Sequence, residues 1–228
     1  KERILNLCSE IKKRNLHYTP WAVMGRADLM DRELLTELKS AGLWAIKYGV
    51  ESGAQSLVEK SSKNMKLKKT FEMIKLTKSL GIKVHLTFCF GLPGETKETI
   101  RESIKQALHL NPDSVQFSIL TPFPGTKIFE ELESQGRILT RDWSMYDGHH
   151  SCVFQPDSLS PSELEVAKLR AYLLWDDYHR KRNFMQNLKR FRDYTRNKGI
   201  FYALYKSLGF FKFLLVSKMK SPEIWKII

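Results

Sequence analysis

Hydrophobic residues in the first part of the chain form two kinds of pattern, one typical of strands and one typical of helices, and the two patterns take turns along the sequence. Short runs rich in β-branched and aromatic residues predict strands at Leu16–Met24, Leu43–Val50, Ile82–Phe90 and Ser114–Leu120. Around them, apolar residues recur three or four positions apart and predict helices at Arg3–Arg14, Arg32–Ser40, Gln55–Lys60, Lys68–Leu80, Glu98–Leu110 and Lys127–Ser134. The predicted strands start roughly 25–40 residues apart, which is the spacing of βαβ units and predicts a parallel sheet or barrel.

The parallel arrangement brings four loops to one edge of the predicted sheet. Right-handed crossovers place every strand's C-terminal end on the same side. We call this edge the rim, and it would carry Arg26, Glu51, Gly91–Thr96 and Thr121–Thr126. Ligands of such folds bind at this edge, so the rim is the predicted ligand site.

The alternation of strands and helices ends after Gly136. A loop-rich stretch follows, and then helices are predicted at Leu164–Asn183, Leu188–Asn197 and Ile200–Val216. The sequence therefore predicts two parts, residues 1–140 and a loop and helical extension at 141–228. His149 and His150 are adjacent, and neighbouring side chains on an extended segment point to opposite sides, so no metal site is predicted there.

Composition indicates a globular protein in a reducing compartment. The chain has 228 residues and is 42% hydrophobic, which suffices for a sizeable core. The three cysteines, Cys8, Cys89 and Cys152, share no metal-ligand spacing, and their odd number argues against a disulfide framework. With no signal peptide in the sequence, a cytoplasmic location is predicted. Because Lys1 opens a helix without a cap, we expect the chain to be a piece of a longer protein.

The net charge of +13 lies almost entirely near the C-terminus. Residues 180–220 hold twelve Lys and Arg against the single acid Asp193, which accounts for +11. Within this segment, Ile200–Val216 combines aromatic residues and leucines with lysines. Three interpretations stay open: a helix on an anionic membrane surface, a helix packed on the barrel or another domain, and RNA binding, which the apolar blocks disfavour.

The glycine-rich turn at Gly91–Gly94 has two interpretations. It is either a plain strand-to-helix turn, or a place where a ligand approaches backbone amides near a helix N-terminus. Glu95 and Thr96, which follow it, are predicted to be a first-turn acid and a helix cap.

Charged residues at the rim suggest ligand contacts. Glu51 directly follows a buried strand, where its carboxylate either caps a helix or accepts hydrogen bonds from ribose hydroxyls or an ammonium group. Arg26 and Lys63 either clamp a carboxylate or are solvated surface cations.

Three motifs and a lysine, in this order, resemble a known family: Gly49-Val-Glu-Ser-Gly53, Lys63, Phe90-Gly-Leu-Pro-Gly-Glu-Thr96 and Thr121-Pro-Phe-Pro-Gly-Thr126. They are similar to radical S-adenosylmethionine enzymes, and especially to the subgroup with an N-terminal cobalamin-binding domain that includes anaerobic Mg-protoporphyrin ester cyclase-like proteins. The resemblance implies an α/β fold, a partial six-stranded (β/α) TIM-like barrel. This chain would supply about four parallel strands with outer helices, followed by an α-helical C-terminal extension.

The resemblance also implies cofactor contacts. Glu51 would contact the ribose or methionyl part of S-adenosylmethionine, and Lys63 its methionyl carboxylate. Arg26 and Thr87 lie where relatives also place cofactor contacts. Residues expected to line the adenine side and the barrel mouth are Gly91, Pro93, Gly94, Thr121 and Pro122. No catalytic residue is assigned.

The chemistry that the resemblance implies depends on three cofactors. A reduced [4Fe-4S] cluster cleaves S-adenosylmethionine to methionine and a 5′-deoxyadenosyl radical, which abstracts hydrogen; with cobalamin, methyl transfer or oxidative cyclisation follows. The Cys-x3-Cys-x2-Cys loop that ligates the cluster in the family is absent from this sequence. We expect that loop and the cobalamin domain outside this chain, which by itself should not cleave S-adenosylmethionine.

Partners follow from the same resemblance. The substrate is expected to be a small molecule, lipid-like or tetrapyrrole, and the reductant a flavodoxin or ferredoxin. Contact with a membrane surface through residues 180–220 is preferred to nucleic-acid binding. The alternatives are a tRNA-modifying methylthiotransferase-like protein, a non-radical barrel lyase and a binding module. A lyase would place its lysine at a strand end, whereas Lys47 lies mid-strand.

Overall fold

The computed structural model describes residues 1–60, 65–149 and 151–200. Its strands are β1 (Trp21–Gly25), β2 (Leu43–Glu51), β3 (Lys83–Phe90) and β4 (Ser114–Ile119). Its α-helices are α1 (Glu2–Lys13), α2 (Arg32–Ser40), α3 (Gln55–Lys60), α4 (Leu67–Ser79), α5 (Lys97–Leu110), α6 (Lys127–Ser134) and α7 (Pro161–Lys198). Residues up to Trp175 form one compact unit, and a second unit starts at Asp176.

The four strands form one parallel sheet in the order β1-β2-β3-β4. Helices connect consecutive strands, so the predicted α/β class is confirmed. Because all strands run the same way, their C-terminal residues lie at one edge, at Gly25, Glu51, Phe90 and Ile119.

The two faces of the sheet differ in composition. The apolar face consists of fully or largely buried side chains from the three longer strands: Ile46, Tyr48, Val50, Val84, Leu86, Phe88, Phe90, Phe117 and Ile119. It packs on helices, and the Tyr48 hydroxyl reaches the Thr77 hydroxyl of α4 at 3.0 Å. The polar face carries the alternate positions, all half-buried: Lys47, Gly49, His85, Thr87, Cys89, Gln116 and Ser118. Strand alternation accounts for the separation.

The outer edge of β4 is closed by hydrogen bonds. The Tyr172 hydroxyl of α7 accepts from the Phe117 amide at 3.0 Å and donates to the Phe117 carbonyl at 3.1 Å. The Ile119 amide donates to the Gly148 carbonyl at 2.8 Å. Edge strands with free amides and carbonyls invite pairing, and these contacts prevent it at β4. At the opposite edge, residues 22–24 of β1 are exposed.

Two element predictions are wrong. The first strand begins at Trp21 rather than Leu16, because the Thr19 amide bonds to the Leu16 carbonyl and folds this segment into a turn. The predicted helices Leu164–Asn183 and Leu188–Asn197 are one helix, α7. Its middle contains neither Gly nor Pro, so no residue forces a break between the two predicted segments.

The C-terminal predictions are only partly addressed by the structure. Residues 201–228, which include most of the predicted helix Ile200–Val216, lie outside the described residues. Within the described part of the chain, no helix is both long and apolar enough to cross a membrane.

Candidate functional site

The rim predicted from the sequence exists in the structure. Arg26, Glu51, Gly91 and Thr121 all follow strands of the same parallel sheet and therefore lie along one edge. Thr87 lies on the polar face, in register with Gly49 of β2 and Gln116 of β4. Lys63 falls in the segment 61–64, outside the described residues.

Glu51 adopts an unusual backbone conformation. Its φ is +66°, and the Ser52 amide bonds to the Val50 carbonyl at 2.9 Å, which closes a three-residue γ-turn around Glu51. This turn coincides with a register shift between Gly49 and Glu51 in the β2–β3 pairing. The positive-φ form of the γ-turn is rare and strained for a residue other than glycine. Because such strain concentrates at functional sites, it supports a role for the half-buried Glu51 carboxylate.

The loop after Glu51 is fixed to helix α5. Ser103 of α5 accepts a hydrogen bond from the Gly53 amide at 2.8 Å and lies 3.2 Å from the buried Ser52 hydroxyl. A Cβ atom on Gly53 would lie only 2.7–2.8 Å from the backbone of Glu102 and Ser103. Only glycine therefore permits this close approach, which ties the end of β2 to the helix that follows β3.

The Gly91–Gly94 turn has its two glycine amides already bonded to carboxylates. The Gly91 amide donates to Glu95, and the Gly94 amide donates to Asp157 at 2.8 Å. Both glycines have positive φ, +91° and +79°. A Cβ on Gly91 would meet Phe154 and Leu164 at 3.0 Å. A ligand at this turn would therefore contact other backbone atoms than these two amides.

The prediction that Glu95 is a first-turn acid is wrong, because Thr96 is the N-cap and Glu95 precedes the helix. The residue is 3% exposed, its Oε2 accepts from the Gly91 amide, and its buried Oε1 has no partner among the described residues. Burial raises the pKa of Glu95 to about 7, although hydrogen bonds from the Gly91 and Leu92 amides lower it. Thr96 is the helix cap as predicted, in a reciprocal capping pair with Thr99.

The position of Glu95 relative to its helix does not indicate its burial. With Thr96 as the N-cap, Glu95 occupies the preceding position, where an apolar side chain commonly packs against the residue at the fourth helical position, here the buried Ile100. A glutamate does not fit that pattern, and its burial accompanies the hydrogen bond from the Gly91 amide.

The remaining predicted rim residues have protein partners of their own. Arg26 makes a two-pronged contact with Asp28, at 2.8 and 3.2 Å, and this contact raises the pKa of Arg26. The Thr121 hydroxyl donates to the Ile119 carbonyl at 3.3 Å, and Pro122 is buried. Thus Arg26 is held in place, whereas Pro122 would act by shaping the loop.

A cavity of about 230 Å³ adjoins the turn at Gly91 and Pro93. Its polar wall includes an ion pair between Arg137 and Asp157, at 2.6 Å, and the same aspartate holds the Gly94 amide. Its apolar lining is Leu120, Ile128, Leu132 and Phe154. Asp157 therefore contacts both Arg137 in the cavity wall and the backbone of the Gly91–Gly94 turn.

The cysteines do not form a cluster site. Cys8 lies on α1, Cys89 on β3 and Cys152 in a loop, and none of the three forms a disulfide. Within the described residues, no group of three or more His, Cys, Asp or Glu side chains is placed to hold a metal ion. This arrangement does not fit a [4Fe-4S] cluster, which requires closely grouped thiolates.

Comparison with known proteins gives a consistent family. Residues 1–107 match the radical SAM superfamily. Over 146 residues, 64% of this chain and 32% of the relative, the chain is 28% identical to an uncharacterized methyltransferase from Pyrococcus horikoshii. Over 166 residues, 72% of this chain and 29% of the relative, it is 30% identical to the anaerobic magnesium-protoporphyrin IX monomethyl ester cyclase of Rubrivivax gelatinosus.

A solved structure resembles the chain in the same region. The radical S-adenosylmethionine methyltransferase TsrM from Kitasatospora setae, with cobalamin and a [4Fe-4S] cluster bound, has a TM-score of 0.54 and 25% identity, covering 72% of this chain and 34% of that protein. The chain thus spans about a third of the length of the relatives that it matches. The family match, the parallel sheet and the ordered rim motifs agree: residues 1–107 of this chain match the radical SAM superfamily.

Proposed function

We propose that this chain forms the S-adenosylmethionine-binding wall of a radical SAM enzyme. The observation that carries the proposal is the strained γ-turn at Glu51, which is fixed to α5 beside the Gly91–Gly94 turn. A carboxylate held in this way is suited to accept hydrogen bonds from ribose hydroxyls or from the methionyl ammonium. Thr87, Arg26 and Thr121 extend the proposed wall, and from the family resemblance alone we assign Lys63 to the methionyl carboxylate.

The proposal includes two further cofactors held outside the chain. Since the cysteines of this chain do not fit a [4Fe-4S] cluster, we assign its ligands to residues outside the chain. The similarity to TsrM, whose structure contains cobalamin, supports the proposal that the enzyme formed with this chain also uses cobalamin. A cluster held by residues outside this chain would supply reductive chemistry towards S-adenosylmethionine, with a flavodoxin or ferredoxin as the reductant. The contribution of this chain is to orient S-adenosylmethionine and to exclude water.

The proposed reaction is methyl transfer or oxidative cyclisation on a small molecule. Relatives carry both kinds of name: methyltransferases and a magnesium-protoporphyrin ester cyclase. A tetrapyrrole or lipid-like substrate would lie on the polar face, below the rim. We divide the chain at residue 140 into the barrel part and its extension.

The reaction class is tested with the full-length gene product, anaerobically reconstituted with iron and sulfide. After reduction with dithionite, we expect 5′-deoxyadenosine and methionine to form from S-adenosylmethionine, measured by liquid chromatography and mass spectrometry. Omitting dithionite is the control. A protein with a spectroscopically verified cluster that forms no 5′-deoxyadenosine would contradict the proposal.

We further propose that residues 180–220 bring the protein to a membrane surface in the cytoplasm. The support is the concentration of twelve Lys and Arg in this segment. Sedimentation with vesicles tests it: binding to vesicles containing anionic lipid, and not to neutral ones, is expected. Salt-sensitive RNA binding without sedimentation would instead favour a tRNA-modifying relative.

A further inference from the structure

The polar face carries a cationic cluster that the rim does not explain. Lys47 of β2 and His85 of β3 are partners in register, so their side chains are neighbours on this face. The Lys47 Nζ reaches across β3 to the Gln116 Oε1 of β4, at 3.2 Å. The His85 Nδ1 lies 2.8 Å from the Ser114 hydroxyl. Three strands therefore place one ammonium and one imidazole side by side on this face.

The Lys47 ammonium is not paired with a carboxylate of the described residues. Among the described residues, Lys47 forms no ion pair, and its one hydrogen bond uses a neutral amide. Lys83, on the same face of β3, differs because Asp113 pairs with it at 2.7 Å. Glu51 lies four residues beyond Lys47 along β2, which is about 13 Å and too far for contact.

The imidazole offers a second unused group. The Nε2 of His85 is buried without a well-aligned hydrogen bond in the described part of the chain, and the Gln116 side chain lies near the ring. Burial lowers the pKa of His85, and the nearby Lys47 ammonium lowers it further, while the Gln116 side chain acts in the opposite direction. The net direction is downward, which favours the neutral form of the ring with one N–H. A buried polar atom without a partner is costly unless a ligand supplies one.

We propose that Lys47, His85 and Gln116 form a subsite for an oxyanion, a carboxylate or phosphate group, on the polar face. Lys47 donates a charge-assisted hydrogen bond to the oxyanion, His85 Nε2–H donates a second one, and Gln116 fixes the ammonium. The identity of the substrate rests on the proposed function, in which Glu51 holds S-adenosylmethionine. An anion bound at Lys47 would lie about 13 Å from Glu51, because the two residues are four positions apart on β2. The substrate would therefore be an elongated molecule with an anionic group at one end and its reacting carbon near the rim.

The test uses the 228-residue chain with ¹³C-labelled histidine rings, titrated with succinate and with inorganic phosphate at constant ionic strength. We expect a saturable shift of the His85 ring signals, with a dissociation constant on the order of 10 mM. Saturation by succinate alone assigns a carboxylate, by phosphate alone a phosphate, and by both the shared oxyanion chemistry.

Three variants identify the group responsible. Lys47→Met should weaken binding about tenfold or more, since it removes a hydrogen bond to a charged group. Lys47→Arg should retain it. Lys83→Met is the matched control, because it removes the same charge from the same face of the sheet, and it should bind within about twofold of the parent chain. Circular dichroism verifies that each variant is folded.

Three results would overturn the subsite. The first is that neither succinate nor phosphate gives a saturable shift. The second is that Lys47→Met binds as tightly as the parent chain, and the third is that Lys83→Met loses as much affinity as Lys47→Met. The titration contains neither S-adenosylmethionine nor a cluster. Failure of the subsite is therefore distinguishable from failure of the proposed function, which the formation of 5′-deoxyadenosine measures.

Discussion

The two faces of the sheet carry different kinds of side chain on the same three strands, β2, β3 and β4. On the apolar face, Phe88, Phe90 and Phe117 stack at ring-centroid distances of 5.6–5.7 Å and are fully buried. On the polar face, Lys47, His85 and Thr87 are half-buried. All-parallel sheets are usually apolar on both faces, because helices cover both. The difference therefore separates a face that stabilises the fold from one that is available for binding.

The largest effect is expected from truncation on the apolar face. Phe117→Ala removes a ring that contacts Phe88, Phe90 and Tyr172, and should lower the free energy of unfolding by about 3–5 kcal/mol. Its neighbour Gln116→Ala, on the polar face, should cost less than about 1 kcal/mol. Urea unfolding monitored by circular dichroism measures both. Equal losses would contradict the division of roles between the two faces.

Glu95 is an acidic residue among the buried side chains of the described residues. Its protonation should make the free energy of unfolding depend on pH. Its pKa is raised from an ordinary value of 4.5 to about 7 in the folded state, so the folded protein binds the proton more tightly than the unfolded chain. The contribution of Glu95 to the free energy of unfolding is therefore fully present below pH 4.5. It is lost as the pH rises from 4.5 through 7, which lowers the free energy of unfolding by about 3 kcal/mol. Unfolding of the parent chain and of Glu95→Gln across this range measures the effect.

The Glu95→Gln substitution separates ionisation from hydrogen bonding. The amide side chain of this variant can still accept from the Gly91 amide but does not ionise, so this part of the pH dependence should disappear. Glu98→Gln, which changes an exposed acid in the first turn of α5, is the control and should retain it. A Glu95→Gln variant that loses stability with pH as steeply as the parent would contradict the assignment.

The fixed loop beneath Glu51 should be sensitive to a single methyl group. Gly53→Ala places a Cβ within 2.8 Å of the α5 backbone and should lower the free energy of unfolding by about 1–3 kcal/mol. Gly125→Ala is the comparison, since no atom lies within 4 Å of its Cβ and its φ is +79°. That variant should lose about 1 kcal/mol through its backbone conformation alone. An unchanged stability of Gly53→Ala would mean that the loop is not held against α5.

The smallest effect is expected at the β4 edge. Tyr172→Phe keeps the ring against Phe117 but removes the hydroxyl that bonds its amide and carbonyl. The free energy of unfolding should fall by about 1–2 kcal/mol. Hydrogen exchange of the Phe117 amide should accelerate more than that of Phe88, a residue of the inner strand β3. Equal exchange in parent and variant would show that the hydroxyl does not close this edge.

Local sequence patterns predict the elements of this fold well. Strand alternation, the Thr96 cap and the glycines at helix ends are local signals, and they predict the four strands and the common rim. The predicted first strand is too long because the turn at Leu16–Thr19 contains aromatic and β-branched residues typical of strands. The loop that follows Glu51 is held by Ser103, which lies 50 residues beyond Gly53 in the chain, so no local pattern predicts it. The burial of Glu95 accompanies a hydrogen bond from the Gly91 amide, which forms only when the glycine turn has folded.

The polar-face cluster illustrates the same limit. Lys47, His85 and Gln116 are separated by up to 69 residues, and only the strand register brings them together. From the sequence, Lys47 is merely a lysine in the middle of a strand. Its relation to Gln116, two strands away, requires the strand order as well as the alternation along each strand.

The central claim, that Glu51 at the rim holds S-adenosylmethionine, is tested most directly by equilibrium binding. The full-length gene product, reconstituted anaerobically, is dialysed against labelled S-adenosylmethionine and compared with Glu51→Ala and Glu130→Ala. Glu130 is an exposed acid on α6 and serves as the matched control. We predict that Glu51→Ala binds about tenfold or more weakly, because a charge-assisted hydrogen bond is lost, and that Glu130→Ala binds like the parent. Unchanged affinity of the Glu51→Ala variant would contradict the account.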